Sequence, residues 1–473
     1  MELRAYQQDA VVLAYEKLAD GQRPVLSLPT GSGKTAIASQ VVKLARQRGL
    51  RVCFLVPFLS LIDQTVQRLD QFDLGRIGVI QGNHELTNPD AMIQVASIQT
   101  LIRRQHDPFD LYIHDEAHVM FRQLPGVIGD RPCIGLTATP WNPAMGEIYT
   151  EVVKVRSIDE LTVLGYLSPV RTLVPETLPD LHGVSTRRGK FGVDYSVTEL
   201  SERVNVPTLV GDVVTTWEQK SSRKNTLVFA TDLKHARALQ YTFRAHGWNA
   251  AYCDADTPRE TRTMYGQQLN DGELDVVVNC QTLTTGVDWT IDTIVLARPT
   301  KSPILYQQII GRGMRPGKDH LLVLDHAGAT LEVGTVYDLD SRPIQMGEFE
   351  APSEREVERK PRRCTHCSFV LDSEATICGY CLSPVVKVSR VRDIKAVKGE
   401  LVEHVDDLRQ FMGGLLTIAA DRGYKRGWAF YSFRDKFKRE PPDGCVACEP
   451  SERVRGWVKH QQIRNAKKRK SAA

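Results

Sequence analysis

The chain has 473 residues, 42% of them hydrophobic and 25% charged, with a formal net charge of +4. That is an ordinary globular composition, enough for roughly three domains at about 100–200 residues each. The small basic excess permits a polyanionic partner without demanding one, and the lack of any run of about 18 apolar residues excludes a membrane span. The first residues, MELRAYQQDA, hold no apolar signal-peptide core, so a cytoplasmic location is expected.

Short apolar runs open the chain: Val25–Pro29, Val52–Pro57, Met92–Ile98, Leu111–His114 and Cys133–Leu136. Each is nearly continuous in hydrophobicity, the pattern of strands buried on both faces of a parallel sheet. Between the first two, Ala36–Arg48 has helical spacing and stops at Gly49. The pattern returns with Thr226–Ala230, Val276–Asn279, Thr293–Ala297 and Leu321–Asp325. An α/β chain with two tandem parallel-sheet units is therefore predicted, with residues 1–160 and 206–345 as lobes and 161–205 as connector or insertion. Within the connector, His182–Tyr195 is polar and Gly-rich and reads as a loop or insertion. Residues 346–363 read as a charged linker, 364–384 as a cysteine-paired module, 400–460 as a short helical and basic module, and 461–473 as a solvated basic tail. Cys53, Cys133, Cys253 and Cys280 lie singly in apolar runs and read as small buried hydrophobes.

Two motifs carry the chemistry. Ser27–Thr35 (SLPTGSGKT) follows a predicted strand and opens a predicted helix, the context of a phosphate-binding loop. Backbone N–H groups of Thr30, Gly31, Ser32, Gly33 and Lys34 can face phosphate oxygens. Lys34 suits the β and γ phosphates, and the Thr35 hydroxyl suits Mg²⁺. Further on, Asp115-Glu-Ala-His118 ends an apolar strand. Asp115 can hold the Mg²⁺ shell, and Glu116 can orient and deprotonate an attacking water. The competing readings are a Gly-rich turn and a solvated pair of carboxylates.

These motifs, in order over residues 3–328, resemble superfamily 2 DExH-type helicases, whose fold is two RecA-like domains. PTGSGKT, with Leu28 where the general phosphate loop has glycine, is the form that helicase-like ATPases use. Leu3-Arg-Ala-Tyr-Gln7 is similar to the adenine-reading Q motif, which implies nucleotide contacts from Arg4 and Gln7. Val56–Gln64 and Ser97–Leu101 are similar to motifs Ia and Ib, and Leu136–Pro140 (LTATP) to motif III. Val228–Ala230 resembles motif IV, Thr284–Asp288 motif V and Gln307–Pro316 motif VI. The resemblance implies ATP contacts from Gly286 and Asp288, and coupling roles for His118, Thr137, Thr139 and Gln308. It also implies nucleic-acid contacts near Pro57, Thr100, Thr231 and Thr285. The stretch Val278–Gly328 looks most like the RadD-type DNA repair ATPases, with XPB-like helicases further away; Ala255 departs from the Gly that relatives often carry. Arg312 and Arg315, three residues apart, share one face if helical and suit the charge that develops on a γ-phosphoryl group.

Beyond the motor, Cys364, Cys367, Cys378 and Cys381 form CxxC-x₁₀-CxxC, a spacing that suits tetrahedral Zn²⁺ in a zinc ribbon. Gly379 marks its second loop, His366 is a bystander, and redox pairs or free thiols are the alternatives. Cys445 and Cys448 form a lone CxxC, read as structural or incidental. Residues 422–439 interleave bases with Tyr424, Trp428, Phe430, Tyr431, Phe433 and Phe437, which either stack nucleic-acid bases or pack a helical core, the latter favoured.

The expected protein is an ATP-dependent DNA helicase or translocase for repair, replication or recombination. ATP, Mg²⁺ and Zn²⁺ are its expected cofactors, and single-stranded or forked DNA is its expected partner. Protein partners would dock through the ribbon or the last module. An RNA helicase, a restriction-type motor subunit and a non-catalytic DNA-binding scaffold are the rival readings.

Overall fold

The computed structural model describes residues 2–175, 178–189, 191–204, 207–222, 224–280, 282–283, 289–346, 361–364, 366–371, 375–385, 404–437, 440–441, 445–451, 454–455, 457–458 and 461. The chain divides into two compact units, 1–387 and 388–473.

The first unit holds two parallel sheets. The first contains β1 (Pro24–Ser27), β2 (Val52–Val56), β3 (Ile77–Ile80), β4 (Ile93–Ser97), β5 (Leu111–Asp115), β6 (Cys133–Thr137) and β7 (Glu151–Lys154), in the order β3-β4-β2-β5-β6-β1-β7. Residues of β1, β2, β4 and β6 are buried at every position, which is why those strands read as unbroken apolar runs. The edge strand β7 is only half buried and has no such run. The second sheet contains β8 (Val170–Leu173), β11 (Thr226–Phe229), β12 (Ala250–Cys253), β13 (Val276–Asn279), β14 (Thr293–Leu296) and β15 (Leu321–Asp325), in the order β12-β13-β11-β14-β15-β8. Thus part of the 161–205 segment read as connector is built into the second sheet, where β8 pairs in parallel with β15.

His182–Tyr195, read as a loop or insertion, is not simply a loop. It contains an antiparallel hairpin of β9 (Thr186–Gly189) and β10 (Gly192–Tyr195). Gly192 has φ +91°, a turn conformation that its missing Cβ allows. Anchoring is polar: Asp194 accepts from Arg298 Nη2 at 3.0 Å and from Lys301 N at 2.8 Å. A helix-like or strand-like apolar period is therefore not needed for order here.

Register places the first sheet's chemistry. Ser27 lies opposite Thr137, and Asp115 opposite Leu136, so β1, β5 and β6 end at one level. Loops leaving those ends meet at one sheet edge, the usual ligand side of a parallel α/β sheet. Helix α1 (Ala5–Ala19) packs Tyr6, Ala10, Val11 and Ala14 inward at helical spacing, and α2 (Lys34–Gln47) does so with Ile37, Ala38, Val41, Val42 and Ala45. Helix α3 (Ile62–Asp70) follows β2 and buries Ile62, Thr65 and Leu69. One apolar cluster runs from these helices into the second sheet through Leu28, Leu167, Leu305 and Ile309.

A two-stranded ribbon of β16 (Arg362–Arg363) and β17 (Val370–Leu371) closes the first unit. It joins the exposed edge of the second sheet through a Leu173–Phe369 bridge, and the Arg171 guanidinium lies 3.6 Å from the Tyr380 ring centre. The four scattered cysteines Cys53, Cys133, Cys253 and Cys280 are all buried, as expected.

In the second unit, helices His404–Asp421 and Arg426–Phe437 pack Phe411, Met412, Leu415, Ile418, Ala429 and Phe433 with Val454 and Val458. Phe433 is fully buried and Trp428 and Phe430 pack against this core, whereas Tyr431 is 74% exposed. The aromatic segment is therefore mainly core. The Phe437 side chain lies outside the described residues. The Cys445/Cys448 segment packs on the first helix: a Cβ at Gly413 would lie 2.4 Å from the Val446 carbonyl oxygen, and Thr417 Oγ1 donates to the Cys448 carbonyl at 2.7 Å. No described helix is long and apolar enough to cross a membrane.

Candidate active site and metal centre

The loop after β1 turns tightly because Gly31 and Gly33 take φ +88° and +83°. Gly33 is the N-cap of α2, so the helix begins at Lys34 and its free N–H groups face the loop's concavity. Behind the loop, the Ser32 carbonyl accepts from Tyr6 OH at 2.5 Å and from Gln7 Nε2 at 3.0 Å. Arg4 N donates to Gln7 Oε1 at 3.0 Å. Gln7 is thus buried with both ends of its amide on backbone groups, bracing the loop. Arg4 stands at the cavity rim, its guanidinium 4.6 Å from the Tyr166 ring centre.

A cavity of about 760 Å³ lies between the lobes. Thr30, Gly31, Gly33, Lys34, Thr35, Asp115 and Glu116 line it from the first lobe, and Gly311, Arg312 and Arg315 from the second. Lys34 Nζ lies 3.4 Å from both the Leu28 and Pro29 carbonyl oxygens. Burial lowers the Lys34 pKa, while Glu116 and Asp115 oppose that shift. Burial, reinforced by the Glu116 charge, pushes the Asp115 carboxyl up to about 6. Two partly buried carboxylates side by side on the cavity wall are matched to a cation. The hard oxygens of Thr35 and Asp115 fit Mg²⁺.

Glu116 has φ +52°, a rare conformation for a residue with a Cβ, and its Oε2 is buried with no hydrogen-bond partner. Strain and an unsatisfied acceptor at one residue mark a functional carboxylate. His118 Nδ1 lies 2.9 Å from Thr137 Oγ1 and 3.4 Å from Glu116 Oε2. Burial pulls its pKa down to about 3, so the ring is neutral near pH 7 and the Glu116 contact is not an ion pair. Thr139 N donates to Thr137 Oγ1 at 3.0 Å, which ties the loop after β6 to the same group.

The second lobe supplies the helix Pro303–Gly311, capped by Ser302 and ending at Arg312. Burial lowers both Arg312 and Arg315 to about 10, still charged at neutral pH. Sequence reasoning chose Gln308 for coupling. Gln307 Nε2 donates to the Ala138 carbonyl at 3.1 Å, and Oε1 of both Gln307 and Gln308 is buried without a hydrogen-bond partner among the described residues. Neighbouring residues on a helix point about 100° apart, and the sequence QQ does not say which faces the other lobe. Arg68 of α3 was missed altogether: it lines the cavity, and its Nη1 lies 3.5 Å from Thr35 Oγ1.

The expected nucleic-acid positions are less uniform. Gln99 Nε2 donates to the Pro57 carbonyl at 3.0 Å, which brings the two segments similar to motifs Ia and Ib together. Thr100 Oγ1 accepts from Ser97 Oγ at 2.8 Å. Thr231 is fully buried, so its side chain is not offered to a phosphate on the surface, contrary to the sequence expectation. Thr285, Gly286 and Asp288 lie outside the described residues.

The ribbon brings Cys364, Cys367, Cys378 and Cys381 together, all four Sγ atoms within 4.8 Å of one another. Cys364 and Cys381 are 3.8 Å apart and Cys367 and Cys378 3.7 Å. Tetrahedral Zn–S bonds of about 2.3 Å place sulfurs about 3.8 Å apart, so the four thiolates fit Zn²⁺. The left-handed turn residues are Ser368 (φ +60°) and Leu382 (φ +58°), each directly after the second cysteine of its pair. Gly379 has no such conformation; the turn that it was read as marking depends on Leu382. His366 is exposed and outside the four-thiolate cluster.

Comparisons with known proteins agree with this geometry. Residues 1–142 match the family described as "Type III restriction enzyme, res subunit", and residues 206–317 the "Helicase conserved C-terminal domain". The chain is 31% identical over 378 residues to the "Putative ATP-dependent helicase IRC3" of Saccharomyces cerevisiae, covering 73% of this chain and 53% of that protein. It is 27% identical over 306 residues to a "51.5 kDa protein" of a Lactococcus phage, covering 62% of each. The chain thus spans between half and two thirds of these relatives' length. Among solved structures, the type ISP restriction-modification enzyme LlaBIII bound to DNA shares the fold, with a TM-score of 0.52 at 15% identity over 68% of this chain and 27% of that one.

Proposed function

The chain belongs to superfamily 2 of the helicase-type ATPases, and from that premise we propose that it hydrolyses ATP between its lobes and uses the turnover to move on or remodel DNA. One observation carries the reading: a single cavity receives Lys34, Asp115 and Glu116 from one lobe and Arg312 and Arg315 from the other. Neither lobe holds a complete site. Lys34 and the loop N–H groups bind and orient the phosphates. Glu116, strained and unsatisfied, accepts a proton from the attacking water. Arg312 and Arg315 balance the charge that develops on the γ-phosphoryl oxygens, an effect worth about 10³–10⁵ in rate for arginine fingers generally. Thr35 and Asp115 would hold Mg²⁺, which would supply further neutralisation of the phosphate charge.

Because hydrolysis consumes the ligand that joins the lobes, their separation follows the ATP cycle, and a strand gripped by both lobes advances. DNA is the preferred track: LlaBIII, which shares the fold, is bound to DNA, and the relatives include a DNA translocase. A role in DNA repair rests on the RadD-like stretch Val278–Gly328. The match of residues 1–142 to a restriction-enzyme subunit favours one second reading, the motor of a restriction-type complex. Zn²⁺ in the ribbon is structural in both.

ATP turnover with matched DNA and RNA oligonucleotides, alongside displacement of a triplex-forming strand, tests the proposal. DNA-specific stimulation with displacement supports it. Stimulation by RNA alone, or displacement without ATP, overturns it.

A further inference from the structure

Arg68 has no place in the motifs of either lobe. It sits on α3, one turn beyond Gln64, and Gln64, Thr65, Gln67, Arg68 and Gln71 all line the nucleotide cavity. Residues at i and i+4 share a helix face, so the face begun by Gln64 is continued by Arg68. Its guanidinium approaches the first residues of α2, beside the phosphate loop: Nη1 lies 3.5 Å from Thr35 Oγ1, whereas Arg4 lies on Tyr166.

We infer that Arg68 is a third phosphate-binding arginine of the cavity, one that contacts the γ end of a nucleoside triphosphate from the first lobe and so discriminates ATP from ADP. This rests on reading the cavity as the ATP site. Lys34, Arg68, Arg312 and Arg315 converge on a space whose phosphate end holds two carboxylates, Asp115 and Glu116. Arg68 is near enough to depress both Arg312 and Arg315, and it is itself attracted by Asp115. Like charges crowded away from water are costly unless a polyanion joins them. A triphosphate supplies that anion, and a diphosphate lacks the γ-phosphoryl group that Arg68, beside Thr35, would contact. Arginine suits this role because its planar fork can bridge two phosphate oxygens.

The position of α3 adds a consequence. The helix begins after Pro57 and the 3₁₀ turn Leu59–Leu61, so a γ-phosphate held by Arg68 fixes the helix next to the segment expected to touch nucleic acid. Arg68 is therefore a nucleotide sensor as well as a binding residue.

The test measures affinity for Mg²⁺-ATPγS and Mg²⁺-ADP with the full chain, for wild type, Arg68→Met, Arg68→Lys and Lys34→Ala, with thermal unfolding recorded for each. The expected result is a loss of at least 10-fold in ATPγS affinity for Arg68→Met, less than 2-fold for ADP, and partial recovery in Arg68→Lys. Equal losses for both nucleotides, or none for either, overturn the inference. Wild-type and Lys34→Ala proteins that bind nucleotide equally overturn the reading of the site itself. Normal wild-type binding, abolished by Lys34→Ala but untouched by Arg68→Met, overturns the arginine's role alone.

Discussion

Gln307 Nε2 donates to the carbonyl oxygen of Ala138 at 3.1 Å, joining the arginine-bearing helix of the second lobe to the loop after β6 of the first. That loop follows Thr137, the last residue of β6, which touches His118 beside Glu116. One hydrogen bond therefore links the two halves of the site. Buried as it is, its loss costs about 1–3 kcal/mol, or roughly 5- to 150-fold in an equilibrium between closed and open lobes. Gln307→Leu is expected to lower kcat for ATP within that range, with Mg²⁺-ADP affinity unchanged. Equal turnover in Gln307→Leu and wild type would remove the link, and Gln308→Leu serves as the comparison that should have the smaller effect.

Closure also depends on Gly311. A Cβ there would stand 2.4 Å from Thr30 Cβ and 2.7 Å from its Cγ2. The clash lies between lobes, so Gly311→Ala should hold the lobes apart without unfolding either. The expected result is at least a 10-fold fall in turnover, with a lobe-to-lobe fluorescence distance that no longer shortens on ATPγS binding. Unchanged turnover would mean that the lobes do not approach this closely when working.

The ribbon covers the edge strand β8 through the Leu173–Phe369 bridge, and Val174 N donates to the Ser368 carbonyl at 3.4 Å. Uncovered edge strands expose unpaired backbone groups. Cys378→Ser should lose bound zinc and raise hydrogen exchange in residues 170–174 more than in β13. Zinc content near one per chain in Cys378→Ser, or unchanged exchange at β8, contradicts this.

Acid sensitivity follows from buried imidazoles. His114 lies 2.7 Å from Tyr149 OH, and burial pulls its pKa down to about 3. Its unfolded value is about 6.5. Above that pH both states are neutral and the group contributes no pH dependence. As pH falls from 6.5 towards 3, the unfolded chain takes the proton and the folded chain does not, so stability drops by up to about 1.4 kcal/mol per unit. Denaturant unfolding at pH 7 and pH 5 should show a smaller acid loss for His114→Asn than for wild type. The same loss in both would show that this ring is protonated in the folded protein.

Much of this architecture is written in the sequence, for a physical reason. Strands β1, β2, β4 and β6 are buried on both faces and must be apolar throughout, so they are legible as runs. The edge strands β7 and β8 are half exposed and carry Glu151, Lys154 and Arg171, which hides them. The hairpin β9–β10 is held by Asp194 and backbone pairing, with no apolar period to detect. At the site, Lys34, Asp115 and Glu116 were legible because their chemistry fixes local spacing. Arg68 and Gln307 were not: Arg68 meets Thr35 from a separate helix of the same lobe and Gln307 meets Ala138 from the other lobe, and only the packing of α3 and the Pro303–Gly311 helix shows where they point. The turn at Leu382 was hidden because glycine, the residue expected at φ +58°, is absent there.

In the proposed function, two lobes complete one hydrolytic site. Steady-state ATP turnover of the full chain with single-stranded DNA tests it most directly, comparing wild type with Glu116→Gln in the first lobe and Arg312→Ala in the second. Loss of at least 100-fold in each variant, with Mg²⁺-ATPγS still bound by Glu116→Gln, is the predicted result. Near-normal turnover in Arg312→Ala beside an inactive Glu116→Gln would show that the first lobe hydrolyses ATP alone and would contradict the account.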